Sequence, residues 1–182
     1  MDTSGTQKSS ALAFVMRMGL ILGAVEILNL LEGYYSGQLE KGGNTIVELC
    51  FMVLLGVVAV LLTKKFRDRS LGGYIPFGKA FSLTLQSFTL AAILSAAFRF
   101  VFIHVLHHEF LEKMFKTQEQ ELVAKGLPDE KVEMAMKTAR LLTTNPAIFF
   151  SIQVVGGVIL GLIIGLIVAA ICKREPHVIV AD

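Results

Sequence analysis

Residues 147–172 have the sequence AIFFSIQVVGGVILGLIIGLIVAAIC, which contains no charged residue. A helix needs about 20 predominantly apolar residues to cross the hydrocarbon core of a bilayer. Three other long apolar stretches precede this one, so transmembrane helices are predicted at about residues 11–33, 45–63, 79–106 and 147–172. We therefore expect an all-α integral membrane protein in which residues 1–182 form a single membrane domain, a four-transmembrane-helix bundle.

The composition supports the same class. Hydrophobic residues make up 54% of the chain and occur in runs, whereas a soluble domain is nearer 45–50% apolar even when glycine is counted. The formal net charge of +2 is too small to indicate a nucleic-acid partner. Membrane lipids are the expected surroundings of the four apolar segments.

The distribution of lysine and arginine predicts the orientation. Basic residues collect in the connection after the second predicted helix and directly after the fourth: Lys64, Lys65, Arg67, Arg69, Lys79, Lys173 and Arg174. Cytoplasmic segments carry such an excess of positive charge. We therefore expect a multi-pass protein with cytoplasmic N- and C-termini, and with the connection near residues 34–44 and the longer one at 107–145 on the outside.

The connection at about 107–145 is predicted to be an external, periplasmic helical hairpin between helices 3 and 4. Residues 109–124 are expected to continue the third helix, Gly126 to end it and Pro128 to open the next helix. Asn145 and Pro146 then separate the hairpin from the fourth membrane helix. Apolar residues recur at helical spacing in the second arm: Val132, Ala135, Met136 and Ala139. The hairpin could cap the bundle or dock a partner.

Three short motifs carry a resemblance to a known family. They are GYIPFGKAF at residues 73–81, EFLEK at 109–113 and GLPDE at 126–130, followed by a glycine-rich last helix. With these motifs the chain resembles an uncharacterised bacterial membrane family, domain of unknown function 4199, over most of its length. The resemblance implies four helices in a bacterial inner membrane and no established chemistry. It also implies an association with membrane glycosyltransferases, whose genes often neighbour those of the family.

Polar residues within the apolar segments form a predicted layer. At a rise of about 1.5 Å per residue, they fall at similar depths on the outer side of the midplane or near its centre: Glu26, Asn29, Glu48, Arg99 and Gln153. Such residues commonly join helices, each contact contributing about 0.6 kcal/mol, and we expect that role first. A site for an ion or a substrate is the alternative.

Two further patterns concern packing and metal binding. Gly157, Gly161 and Gly165 form a helix-packing seam, which could face another helix of the bundle or a second subunit. Separately, three residues at the outer end of the third helix recur every four positions, a spacing that resembles that of divalent-metal ligands: His104, His108 and Glu112. Because no fourth ligand is assured, neither a metal ion nor another cofactor is predicted.

No catalytic residue is predicted, because the chain has no P-loop, HExxH, GxSxG or dinucleotide-binding fingerprint. The leading expectation is a noncatalytic subunit of an inner-membrane complex that binds another membrane protein or itself. The alternative is a small oligomeric transporter or ion-conducting protein that uses the Glu26, Glu48 and Arg99 charges. A third possibility, which rests on the resemblance, is an accessory subunit of a lipid-linked glycosyltransferase.

Overall fold

The computed structural model describes residues 3–41 and 43–174. These residues form six α-helices and no β-strand. A short 3-10 turn at Leu39–Lys41 follows α1, and a π-helical turn at Phe102–Leu106 follows α3. The helices are α1 (Thr3–Tyr35), α2 (Thr45–Ser70), α3 (Phe77–Val101), α4 (His108–Ala124), α5 (Asp129–Thr144) and α6 (Pro146–Cys172).

Four segments are long and apolar enough to cross a membrane: Ser10–Tyr35, Thr45–Ser70, Phe77–Leu106 and Pro146–Cys172. The predicted all-α class and its four apolar segments are thus confirmed. Large apolar side chains remain exposed along these helices, for example Leu28, Leu61 and Ile163. Exposed apolar surface of this extent is unusual for a soluble monomer and is expected where lipid is the solvent.

Each long helix runs opposite to the one before it in the chain. Around the bundle the helices are neighbours in the order α1, α3, α6, α2. Helix α3 packs extensively against both α1 and α6, whereas α2 contacts mainly α1 and α6. All four buried residues of α2 lie beyond its first ten residues: Leu55, Ala59, Thr63 and Phe66. Residues 45–54 of α2 therefore stand away from the packed bundle.

The glycine seam of α6 faces α3 of the same chain. A β-carbon built at Gly161 would lie 2.6 Å from Cβ of Phe88, and one at Gly165 would lie 3.3 Å from Cδ2 of Phe81. At Gly157 the added atom would collide with Cβ of Ala92. Of the two arrangements that the sequence left open, the structure shows the contact within the bundle. In this chain the seam is therefore occupied by α3.

We call the end of the bundle that carries the α2–α3 connection the basic end. There, a bridge with hydrogen bonds of 2.9 and 3.0 Å joins the backbones of Ile75 and Arg174. Arg67 donates from Nη1 to the carbonyl oxygen of Cys172 at 3.1 Å and pairs with Asp68 at 2.7 Å. These contacts fix the ends of α2 and α6 to the start of α3.

At the other end, which we call the hairpin end, the chain does not continue α3 as one straight helix. The prediction that residues 109–124 extend α3 is wrong, because the π-helical turn is followed by a break at His107, with φ −132° and ψ 47°. Tyr34 stabilises this break, since its hydroxyl lies 3.0 Å from Nδ1 of His107. Helix α4 therefore starts in a new direction.

The α4–α5 hairpin packs against the ends of the membrane helices. Its predicted apolar stripe faces inward, with Val132 and Met136 buried and Ala135 and Ala139 partly buried. The four long helices share a first apolar cluster, which includes Met18, Leu55 and Phe88. Together with residues of α1, the π-helical turn and α4, the stripe forms a second apolar cluster: Leu30, Phe102, Ile103, Phe110, Leu111, Phe115, Val132 and Met136. The hairpin contacts the 3-10 turn, the π-helical turn and α6, but not α2.

Gly161→Ala is expected to destabilise the monomer by about 1–3 kcal/mol, because its β-carbon needs space that Phe88 occupies. Thermal unfolding in mild detergent measures the change. The matched control is Gly156→Ala in the same helix, where an added β-carbon meets no atom within 4 Å. An unchanged unfolding temperature with an altered oligomer size for Gly161→Ala would instead place the seam between subunits.

Candidate functional site

A polar cavity of about 250 Å³ lies between the two apolar clusters, with Leu55 of the first and Leu30 of the second in its wall. All four long helices contribute to it. The structure brings the whole predicted polar layer to this one cavity: Glu26, Asn29, Glu48, Arg99 and Gln153. Whether these residues serve a ligand or only join helices stays a prediction at this point.

Glu26 enters the cavity from α1 and accepts a hydrogen bond from the hydroxyl of Ser95 on α3. Ser95 also lies 3.2 Å from the carbonyl oxygen of Ala92, so its Oγ stands between the two acceptors. Ser95 was not predicted as a site residue. Its position four residues before Arg99 was the available signal, since residues at that spacing share one face of a helix.

Arg99 faces the same cavity from α3. Within the described part of the chain, no carboxylate oxygen lies within 4.0 Å of its guanidinium, and Arg99 makes no side-chain hydrogen bond. Glu26 and Glu48 are the acidic residues near enough to act on it electrostatically. A separation of this kind leaves room for water or for a ligand between opposite charges.

Glu48 stands in the first turn of α2, where the helix dipole favours an anion. Asn44 caps this turn by accepting from the backbone N–H groups of Ile46 and Val47 at 3.0 and 3.5 Å. The Glu48 carboxylate folds back against Gly43, whose φ of +90° is open to glycine and costly for other residues. The backbone at the start of α2 thereby positions the second carboxylate of the site.

Asn29 and Gln153 line the cavity from α1 and α6. In the described residues neither amide has a hydrogen-bond partner from the protein, and neither is sealed from the cavity space. Each amide can both donate and accept hydrogen bonds. The wall of the cavity therefore offers two acids, one base, two amides and a hydroxyl.

The predicted histidine and glutamate spacing does not form a metal site in the described residues, where no group of three metal-binding side chains occurs. His104 lies with Nδ1 3.2 Å from the carbonyl oxygen of Phe100 and Nε2 2.9 Å from that of Thr143. Glu112 instead pairs with Arg140 across the hairpin at 3.6 Å. The side chain of His108 lies outside the described part.

The fold and the cavity define a class: a small polytopic helical membrane protein with a polar cavity between its spans. The model of the family described as a protein of unknown function, DUF4199, matches residues 17–174. The chain belongs to this family, which confirms the resemblance drawn from its motifs. Neither the curated proteins nor the solved structures contain a match to the chain.

Gly43→Ala is expected to destabilise the protein by more than Gly37→Ala, although both replace a glycine with positive φ. Each substitution costs about 1–2 kcal/mol of folding stability, because alanine must adopt the left-handed backbone conformation. Only the β-carbon at position 43 would also displace the Glu48 carboxylate, since that at Gly37 meets no atom within 4 Å. Unfolding in denaturant measures both costs.

A double-mutant cycle separates the two contributions. In a Glu48→Ala background the excess cost of Gly43→Ala should disappear, giving a coupling of about 0.5–3 kcal/mol between the two positions. Strictly additive effects of Gly43→Ala and Glu48→Ala would show that the carboxylate is not held against Gly43.

Proposed function

We propose that this protein is a noncatalytic ligand-binding subunit of the bacterial inner membrane, which acts with another membrane protein and takes a small zwitterionic solute into its polar cavity. The observation that carries the proposal is the Arg99 guanidinium, which pairs with no carboxylate of the described residues although it shares one cavity with Glu26 and Glu48. The Arg99 side would receive the anionic group of the solute, and the carboxylates its ammonium group.

The separation of the charges favours ligand binding over a purely structural role. An arginine within a membrane costs about 2.5–3.5 kcal/mol on insertion scales, and direct pairing with a carboxylate is the ordinary way to offset this cost. Glu26 bonds to Ser95 instead, and Glu48 turns toward Gly43. A solute with two opposite charges would compensate all three groups, and the Asn29 and Gln153 amides could select its polar atoms.

The proposed orientation places the basic end in the cytoplasm and the hairpin in the periplasm. Support comes from the positive charge at the ends of α2 and α6, which is typical of cytoplasmic segments. The cavity then opens toward the outer leaflet. The hairpin does not contact α2, and no residue of α2 before Leu55 is buried, so this side of the bundle is uncovered.

The bundle below the cavity is packed with apolar side chains, including the fully buried Met18, Leu22, Phe88 and Ala91. This packing favours a blind binding site over a conducting pore within one chain. A second candidate function is transport by movement of α2. The observation that favours it is that no residue of α2 before Leu55 is buried against the other helices. For this candidate, reconstituted wild type should carry a solute across liposomes and Glu26→Gln should not.

A thiol-accessibility experiment tests whether the cavity is open to water from the periplasm. In a Cys50→Ser, Cys172→Ala background, we expect Asn29→Cys to react with a membrane-impermeant thiol reagent applied to spheroplasts. Ala59→Cys is the control, because residue 59 is fully buried in the apolar core. A dry cavity would leave Asn29→Cys unreactive from either face, and labelling from inverted vesicles alone would reverse the proposed orientation.

A binding experiment tests the chemistry of the ligand. The purified chain in phosphatidylcholine nanodiscs is melted in the presence of individual amino acids as zwitterionic probes. A probe at a hundred times its Kd should stabilise the folded state by about 2.7 kcal/mol. Arg99→Gln and Glu26→Gln should each abolish the response, whereas Arg140→Gln, a change of the same type in the hairpin, should preserve it.

Two results would contradict the proposal. One is a wild type that none of the zwitterionic probes stabilises, which would return the polar layer to a purely structural role. The other is a stabilised Arg99→Gln variant, which would place the probe elsewhere on the protein.

A further inference from the structure

A second concave surface lies at the basic end, between α1 and α2, and is separate from the polar cavity. This groove has a volume of about 440 Å³. Its floor is apolar and includes Phe14, Met18 and Phe66, of which Phe14 and Phe66 stack with ring centroids 4.3 Å apart. Its cationic side chains come from both helices: Arg17, Lys65 and Arg69.

No carboxylate in the described part of the chain pairs with these three cations. In the described residues none of them has an acidic oxygen within 4.0 Å. Asp68 is the only acidic residue between positions 49 and 108, and it pairs with Arg67 at 2.7 Å. The groove therefore presents three positive charges above an apolar floor, and no carboxylate of the described residues balances them.

The depth of the groove matches the region of a bilayer where headgroups meet acyl chains. Lys65 and Arg69 belong to the last turns of α2, at the end of its candidate span. Arg17 lies seven residues beyond Ser10, where the first span starts, which is about 10 Å along the helix axis. The cations thus extend from the membrane surface inward, beside an exposed apolar face that includes Ile21.

We propose that this groove binds one anionic phospholipid. Its phosphate contacts Arg17, Lys65 and Arg69, and one acyl chain lies on Phe14, Met18 and Phe66. Basic pockets between membrane helices recognise anionic headgroups in this way. The apolar floor distinguishes a lipid from a soluble phosphate, because only the lipid carries a chain to cover it. The inference does not depend on the ligand of the polar cavity.

Native mass spectrometry of the full chain tests the proposal, with equal amounts of phosphatidylglycerol and phosphatidylcholine in mild detergent as the probes. The wild type should retain phosphatidylglycerol selectively. Each single change Arg17→Gln, Lys65→Gln or Arg69→Gln should weaken this retention about fivefold, and the triple variant should lose the selectivity. The matched control neutralises three cations of the basic end that do not line the groove: Lys64→Gln, Lys79→Gln and Lys173→Gln.

A competition measurement and two further variants identify the source of the anion and control for misfolding. Millimolar glycerol 3-phosphate should not displace the lipid, and Ile21→Ser, which keeps every charge, should weaken retention. Arg17→Lys with Arg69→Lys should retain the lipid, which shows whether loss in the glutamine variants reflects charge.

Three outcomes would overturn the assignment. They are undiminished selectivity in the triple groove variant, an equal loss in the control triple variant, and displacement of the lipid by glycerol 3-phosphate. The second outcome would indicate a diffuse attraction of the whole basic end, and the third a site for soluble phosphate compounds.

Discussion

The close approach of α3 and α6 is the contact on which the arrangement of the bundle depends. Gly157 and Gly161 leave no space for a β-carbon against Ala92 and Phe88. Lipid tails are as apolar as the side chains they surround, so helices in a membrane associate largely through such van der Waals contact. With α6 fixed on one side and α1 on another, α3 becomes the central helix and carries Ser95 and Arg99 into the interior.

The position of α2 follows from the same arrangement. Helix α3 contacts α2 only slightly, so α2 is held mainly by α1 and α6. No residue of α2 before Leu55 is buried, and the space left there is the polar cavity. The close packing of α3 with α6 and the loose packing of α2 thus have the same cause. The charged residues lie where the packing is weakest and a ligand could enter without disturbing the apolar core.

Much of this architecture could be predicted from the sequence, because apolar runs report directly on the membrane. Asn145 and Pro146 marked the start of α6 correctly, with Asn145 accepting from the backbone N–H of Ile148. The shared depth of Glu48 and Arg99 anticipated their meeting at one cavity. Periodicity could not show that α3 ends in a π-helical turn, because the break at His107 depends on Tyr34, which is remote in sequence.

Other features could not be predicted because they depend on which helices are neighbours. A glycine seam has the same pattern whether it meets a helix of its own chain or of another. Whether Arg99 pairs directly with a carboxylate depends on side-chain directions that a depth estimate does not contain. The groove of the basic end arises because α1 and α2 bring Arg17 and Arg69 together, although each residue alone resembles an ordinary interfacial cation.

The bridge between Ile75 and Arg174 has a consequence for biogenesis. A chain that enters the membrane during translation exposes the α2–α3 connection long before α6 has been synthesised. Until then, the backbone groups of Ile75 lack the partner that they have in the finished protein. The basic end is therefore completed last, and the bridge marks the step at which an inserted but open chain becomes a closed bundle.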